Sequence, residues 1–159
     1  SRGLGNVNKI QLINMHMTTL NKAARDSMKK YNVHACTDVT GFGLIGHTYE
    51  MASGSDTEII LDVDSIDLIP EALELARMGM LPAGMYRNRN FAQAHVDAGD
   101  TELAKQDMLY DPQTSGGLLI AVDPADADAL FAELKDSVPS AQRIGTVSEY
   151  HGGARILLR

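Results

Sequence analysis

What this chain lacks narrows its class before any motif is read. It has one cysteine and no tryptophan in 159 residues. A single cysteine, Cys36, excludes an internal disulfide and fits a reducing cytoplasm. No apolar run approaches the ~20 residues that span a bilayer, and no charged-then-apolar start resembles a secretory leader. Positive charge is scarce: 14 Lys and Arg stand against 21 Asp and Glu, a formal net charge of -7. Phosphate backbones are bound by basic patches, so a nucleic-acid partner is not expected, nor is a membrane. Internal repeats and low-complexity tracts are absent. What is present, 44% hydrophobic and 22% charged residues, is enough for one ordinary core.

The chain is organised around residues 35 to 47, Ala-Cys-Thr-Asp-Val-Thr-Gly-Phe-Gly-Leu-Ile-Gly-His. A short extended run passes Asp38 and Thr40, turns on Gly41 and Gly43, and enters an apolar helical pattern at Leu44. A glycine turn feeding a helix leaves backbone N–H groups free at the positive end of the helix dipole, which favours phosphate or another anion. A carboxylate and a hydroxyl beside it are donors with which magnesium bridges protein and phosphate. Asp and Thr also cap helices, and spacing alone favours that plainer role. Cys36 reads as a small buried apolar residue, because no local cation would activate its thiol. His47 reads as a hydrogen-bonded packing histidine, since nothing near it in sequence orients its ring.

The glycine-rich residues 1–7 read as a linker or boundary remnant, leaving a single domain over 8–159. Ile10, Ile13, Met17, Leu20, Ala24, Met28 and Tyr31 form one stripe on a long helix ending near Asn32. Met15, Met17 and Met28 fill core, and His16 and His34 have no metal partner at helical spacing. A helix over 42–52 stopped by Gly54 and a strand over 58–63 follow. Asp62 and Asp64 read as a solvated strand end. The next helix spans 70–78, with Ala72, Leu73, Ala76 and Met78 inward and Gly79 as its stop. Pro82 and Gly84 make 81–90 a turn. There Arg87 and Arg89 either grip an anion or stay as solvated surface charges. Short helices are expected over 91–97 and 102–109.

Residues 111–117 form a polar loop in which Thr114 and Ser115 offer hydroxyls and Gly116-Gly117 permit close backbone approach. It leads into a buried strand at 118–122 and is placed to face the Asp38 turn; an ordinary Gly-Gly loop is the alternative. Asp123 caps a helix begun by Pro124, whose apolar face is Ala127, Leu130, Phe131 and Leu134. Strands at 143–148 and 154–158 around a glycine turn suggest a closing hairpin. The interleaving gives an α+β class (α/β sandwich), a mixed sheet covered by helices.

Three stretches carry a family resemblance. Thr37-Asp38-Val39-Thr40-Gly41-Phe42-Gly43-Leu44, followed by Gly46-His47, resembles a signature of selenophosphate synthetases (selenide, water dikinases), members of the aminoimidazole ribonucleotide synthetase-like superfamily. Asp111-Pro112-Gln113-Thr114-Ser115-Gly116-Gly117-Leu118-Leu119 is similar to a second signature, and Pro82-Ala83-Gly84-Met85-Tyr86-Arg87-Asn88 more weakly to a third. They occur in the family's order, and the similarity covers essentially the whole chain. The resemblance implies the C-terminal domain of that enzyme, without the N-terminal ATP-binding domain, and a helix-covered sheet distantly similar to a ferredoxin-like arrangement. It implies phosphoryl transfer from ATP to selenide, giving selenophosphate, AMP and phosphate with Mg2+, in a cytoplasmic homodimer.

Carried over residue by residue, the resemblance makes Asp38 a metal ligand reaching across the domain interface. Thr40 with Gly41 and Gly43 would hold that metal or a phosphate, and Thr114, Ser115 and Gly116 would line the same cleft. The family's reactive cysteine or selenocysteine and its lysine lie in an N-terminal loop that nothing here matches. No catalytic residue is therefore assigned, and the isolated chain is expected to be inactive. One alternative is another superfamily enzyme: aminoimidazole ribonucleotide synthetase, thiamine-monophosphate kinase or the hydrogenase-maturation dehydratase. Phe42 and the Thr-Asp-Val-Thr lead-in argue against it. The other is a non-catalytic module binding a nucleotide or a partner, against which the glycine-rich start leans.

Overall fold

The computed structural model describes residues 21–159. Strand β1 (Val33–Asp38) alternates half-buried and exposed positions, as a strand with one covered face does. It pairs antiparallel with β4 (Leu118–Val122), Asp38 opposite Leu118, in a two-stranded ladder. The second sheet has the order β3 (Val96–Asp97), β6 (Ile156–Leu158), β2 (Thr57–Leu61), β5 (Gly145–Glu149). Strand β2 runs parallel to β6 and antiparallel to β5, so the sheet is mixed.

Helix α2 (Gly43–Gly54) joins the two sheets, packing on β1 of the ladder and on β2 and β6 of the larger sheet. Its Ile45 and Ala52 lie in the core with Ile59, Leu61, Ile156 and Leu158 from the sheet. Met85 and Ala92 of α4 (Ala83–Ala92) and Leu109 of α5 (Leu103–Leu109) complete that cluster. Helix α6 (Pro124–Ser137) lies against α1 (Lys22–Met28). Its start is as the sequence predicts: Pro124 opens it and the Asp123 carboxylate accepts from the Ala125 N–H at 2.8 Å. Glu133 of α6 accepts from Lys30 Nζ at 2.6 Å and from the Tyr31 hydroxyl at 2.9 Å.

Several expectations are corrected. The remnant at 1–7 and most of the long N-terminal stripe lie outside the described residues; the described part, α1, ends at Met28 rather than near Asn32. Gly54 does not stop α2. The left-handed residue there is Asp56 (φ 52), a role that aspartate tolerates better than most side chains. Strand β2 ends at Leu61, and a short 3-10 turn, Val63–Ser65, follows. Helix α3 (Pro70–Arg77) stops before Gly79 (φ 75) as expected, but Met78 is 65% exposed. Two residues past buried Ala76 is about 200° around a helix, so Met78 cannot share its face.

Residues 83–92 are helical, not a turn, and 93–97 pass through a 3-10 turn into β3. Pro82 stands just ahead of the helix with φ -69, and the buried residues Met85, Asn88 and Ala92 repeat at helical spacing. The asparagine within that stripe hides it from a reading of apolar residues alone. Strands β5 and β6 do not form a hairpin, because β2 lies between them. The intervening chain crosses the start of β2. There Ile59 N donates to Arg155 O at 2.8 Å and the Arg155 guanidinium donates to Thr57 O at 3.0 Å.

Helices α4 and α5 are tied by Arg89 Nη1 to Asp107 Oδ1 at 2.6 Å, with the Asp107 side chain only 6% exposed. This settles half of the arginine question: Arg89 is paired within the fold. Removing one member of a buried pair leaves the other charge uncompensated. Asp107→Ala should therefore destabilise the chain by about 2–4 kcal/mol in urea unfolding, less than a fully buried pair would cost because Arg89 keeps some contact with water. A midpoint equal to that of the parent would contradict the structural role.

Candidate functional site

The end of β1 and the start of β4 bring the two principal sequence signatures together. Val39 N donates to Gly117 O at 3.0 Å and Gln113 N donates to Thr40 O at 2.9 Å, so the 38–43 turn and the 111–117 loop run side by side. The turn closes with Gly43 N donating to Thr40 O at 3.0 Å. Glycine is required at two points of this contact. Gly43 has φ 70, and a Cβ there would lie 2.7 Å from the Tyr110 carbonyl. At Gly116 a Cβ would stand 2.1 Å from the Val39 carbonyl oxygen. Only a residue without a side chain allows such approach.

The third, weaker signature joins them from α4. Asn88, buried, donates through Nδ2 to Gly41 O at 2.8 Å and to Tyr110 O at 2.9 Å. One amide thus fastens the turn to the residues just before the loop. The start of α4 also packs on the loop, since a Cβ on Gly84 would meet Pro112 Cγ at 2.6 Å. The sequence places Asn88 within that motif but does not show its task. An asparagine at a buried helical position was the available signal.

Neither Asp38 nor Thr40 caps α2: Phe42 occupies the cap position, with no side-chain cap hydrogen bond. Thr40 Oγ1 instead meets His47 Nε2 at 3.0 Å, and His47 Nδ1 meets Glu50 Oε2 at 2.9 Å. His47 is buried, as expected of a packing histidine, yet its ring is oriented after all. The partner is three residues on, on the same helix face, a spacing the sequence displays. Cys36 is exposed rather than buried. Partial desolvation, then the neighbouring Asp38 charge, pushes its thiol upward, so it is a poor nucleophile. It lines a groove of about 270 Å³ between β1 and α2, with Thr37, His47, Glu50 and Met51 among the other walls.

The donor set suits a hard cation. Asp38 is exposed at the strand end, and its carboxylate makes no hydrogen bond or ion pair with any described residue. Oxygen Oδ1 of Asp111 is buried without a partner, and burial pushes that carboxyl upward. Unpaired carboxylate oxygens are what Mg2+ takes. Among the described residues no cluster of three or more His, Cys, Asp or Glu could hold a metal alone. Thr114 and Ser115 are exposed at the loop tip, next to half-buried Gly116. Asp62 and Asp64 are exposed and engaged elsewhere, Asp62 by the Ser65 hydroxyl and Asp64 by Lys105 at 2.7 Å. No described helix is long and apolar enough to cross a membrane.

Residues 2–157 match the family model described as AIR synthase related protein, C-terminal domain. The chain belongs to this family. As an AIR synthase related C-terminal domain it is similar to curated proteins named "Selenide, water dikinase". It is 51% identical over 122 residues to one from Treponema denticola, covering 77% of this chain and 34% of that protein. The Clostridioides difficile protein is 46% identical over 133 residues, 82% of this chain and 38% of its own length. The Pelobacter propionicus protein is 43% identical over 149 residues, 92% of this chain and 43% of its own. The chain thus spans well under half of these relatives. The helix-covered mixed sheet is the α+β class the sequence pattern indicates.

Two outcomes test the local geometry. Asn88→Ala leaves the Gly41 and Tyr110 carbonyls without their donor, which should cost about 1–3 kcal/mol for each acceptor that water does not reach. Amide exchange should quicken at residues 41–43 and 110–113 first. A globally stable variant with unchanged exchange would contradict the clamp. Asp111 works in the other direction. A carboxyl raised on folding makes the native state the stronger proton binder, so stability falls as pH rises through the carboxylate range and the penalty persists at neutral pH. Asp111→Asn should raise Tm near neutral pH, with the gain vanishing on acidification.

Proposed function

We propose that this chain is the C-terminal domain of a selenide, water dikinase and forms one wall of a site that transfers phosphoryl groups from ATP to selenide, giving selenophosphate, AMP and phosphate. One observation supports the reading above others. Three separate stretches resembling that enzyme's signatures pack into a single surface, held by Asn88 and closed by Gly43 and Gly116. Asp38, exposed at the strand end, and Asp111, whose Oδ1 is buried without a partner, belong to these stretches.

In this reading Asp38 would supply a carboxylate oxygen to Mg2+, together with ligands from outside this chain. When bound, the ion neutralises and orients phosphate oxygens, the main requirement of phosphoryl transfer. The chain's own part is positional. Thr40 and the Gly41–Gly43 backbone contact the ion or a phosphate. Thr114, Ser115 and Gly116 border the same cleft and exclude water from it. The Asn88 clamp keeps the two segments from separating when charge accumulates between them. The exposed, unactivated Cys36 leaves the selenium chemistry to a nucleophile outside this chain. The isolated chain is then inert, and the working protein is a longer, homodimeric, cytoplasmic enzyme.

Phosphorus NMR of ATP, Mg2+ and selenide under anaerobic conditions tests this on three samples: the chain alone, the natural full-length protein, and that protein carrying Asp38→Ala. Selenophosphate and AMP should appear only with the unmodified full-length protein. Turnover by the chain alone would overturn the half-site reading. Conversion of ATP to ADP with selenide untouched would move the function to a kinase-like or synthetase relative.

A further inference from the structure

Helix α2 carries two side chains, His47 and Glu50, that the proposed function leaves unused. Glu50 Oε2, His47 and Thr40 Oγ1 form an unbroken chain of 2.9 and 3.0 Å contacts ending in the turn beside Asp38. We propose that Glu50 and His47 are positioning residues that fix the polarity of the Thr40 hydroxyl, so that its lone pairs rather than its proton face the cleft.

The argument is one of donors and acceptors. An ionised carboxylate only accepts, so the His47 nitrogen facing Glu50, Nδ1, carries the proton. In a neutral ring Nε2 then has only a lone pair, and the hydrogen bond to Thr40 forms only if the hydroxyl donates. Among the described residues Thr40 Oγ1 has no other hydrogen-bond partner. Its proton is thus committed inward, and its oxygen is presented outward as a pure acceptor. An oxygen in that state suits a divalent cation and repels a phosphate oxygen. Burial keeps the relay in one geometry: the His47 side chain is 10% exposed, and the Phe42 ring lies 5.5 Å from it, centroid to centroid. Glu50 keeps about half its side chain in water. Thr40, which the sequence leaves open between metal and phosphate, is thereby assigned to the metal.

The inference rests on reading the turn as a cation site, and two measurements separate it from the proposed reaction. Long-range 1H–15N correlation of the neutral His47 ring at mildly alkaline pH reports the tautomer in this chain without any turnover. Protonated Nδ1 with bare Nε2 is expected, and protonated Nε2 overturns the proposal. Mn2+ binding to the natural full-length protein, followed by water-proton relaxation, gives the second readout. Glu50→Ala should raise the Mn2+ midpoint about 10–100-fold, the range for partners that orient a ligand, and Glu50→Asp should recover part of the loss. In phosphoryl transfer the same variant should need more Mg2+, with kcat at saturating Mg2+ little changed. An unchanged Mn2+ midpoint overturns the proposal, as does a kcat that falls at every Mg2+ concentration. If the midpoint moves but the full-length protein leaves selenide untouched, the relay stands and the proposed reaction fails.

Discussion

Two backbone carbonyls, those of Gly41 and Tyr110, share a single amide donor, and the candidate site is built around that bond pair. A primary amide has two hydrogens in a rigid plane, so Asn88 sets the separation of the carbonyls as well as their presence. A longer or bulkier donor would spread the turn from the residues that lead into the loop. The glycines work to the same end by sterics: Gly43 lets the turn touch Tyr110, and Gly116 lets the loop touch Val39. Strand pairing of β1 with β4 brings the segments near one another, but the clamp and the two missing side chains fix them as one surface.

That surface departs from what stability alone would select. It contains a buried carboxylate oxygen with no donor. It also leaves Phe42 stacked on Phe91 with ring centroids 6.0 Å apart, both rings about half in water. Elsewhere several polar groups are paired as local rules expect. Asp123 and Pro124 start α6, Glu133 collects Lys30 and Tyr31, and Arg89 neutralises buried Asp107. A buried polar atom left without a partner marks where a fold carries function.

The sequence displayed the turn, the loop and the strands that deliver them because each is written in adjacent residues: Gly after Asp and Thr, Gly-Gly before an apolar run. Their apposition was legible as an expectation and is realised through strand register. What escaped was written across distance or in polar residues. Helix α4 was hidden because Asn88 interrupts its apolar stripe and Gly84 imitates a turn. The expected hairpin failed because nothing local to β5 and β6 reports that β2 inserts between them. Residue type alone suggests a buried Cys36, but β1 is covered on only one face. Glu50, at helical spacing from His47, is the sequence signal for the orientation of that ring.

The central claim is that the Asp38 turn and the Asp111 loop form one cation-binding surface. Paramagnetic broadening of amide resonances in the natural full-length protein during a Mn2+ titration tests it most directly. The account predicts that signals from 38–43 and 111–117 broaden together, before any others of this chain, and that Asp38→Ala abolishes both effects. Broadening centred on Asp62 and Asp64 or on the acidic start of α6, with the turn and loop untouched, would contradict it.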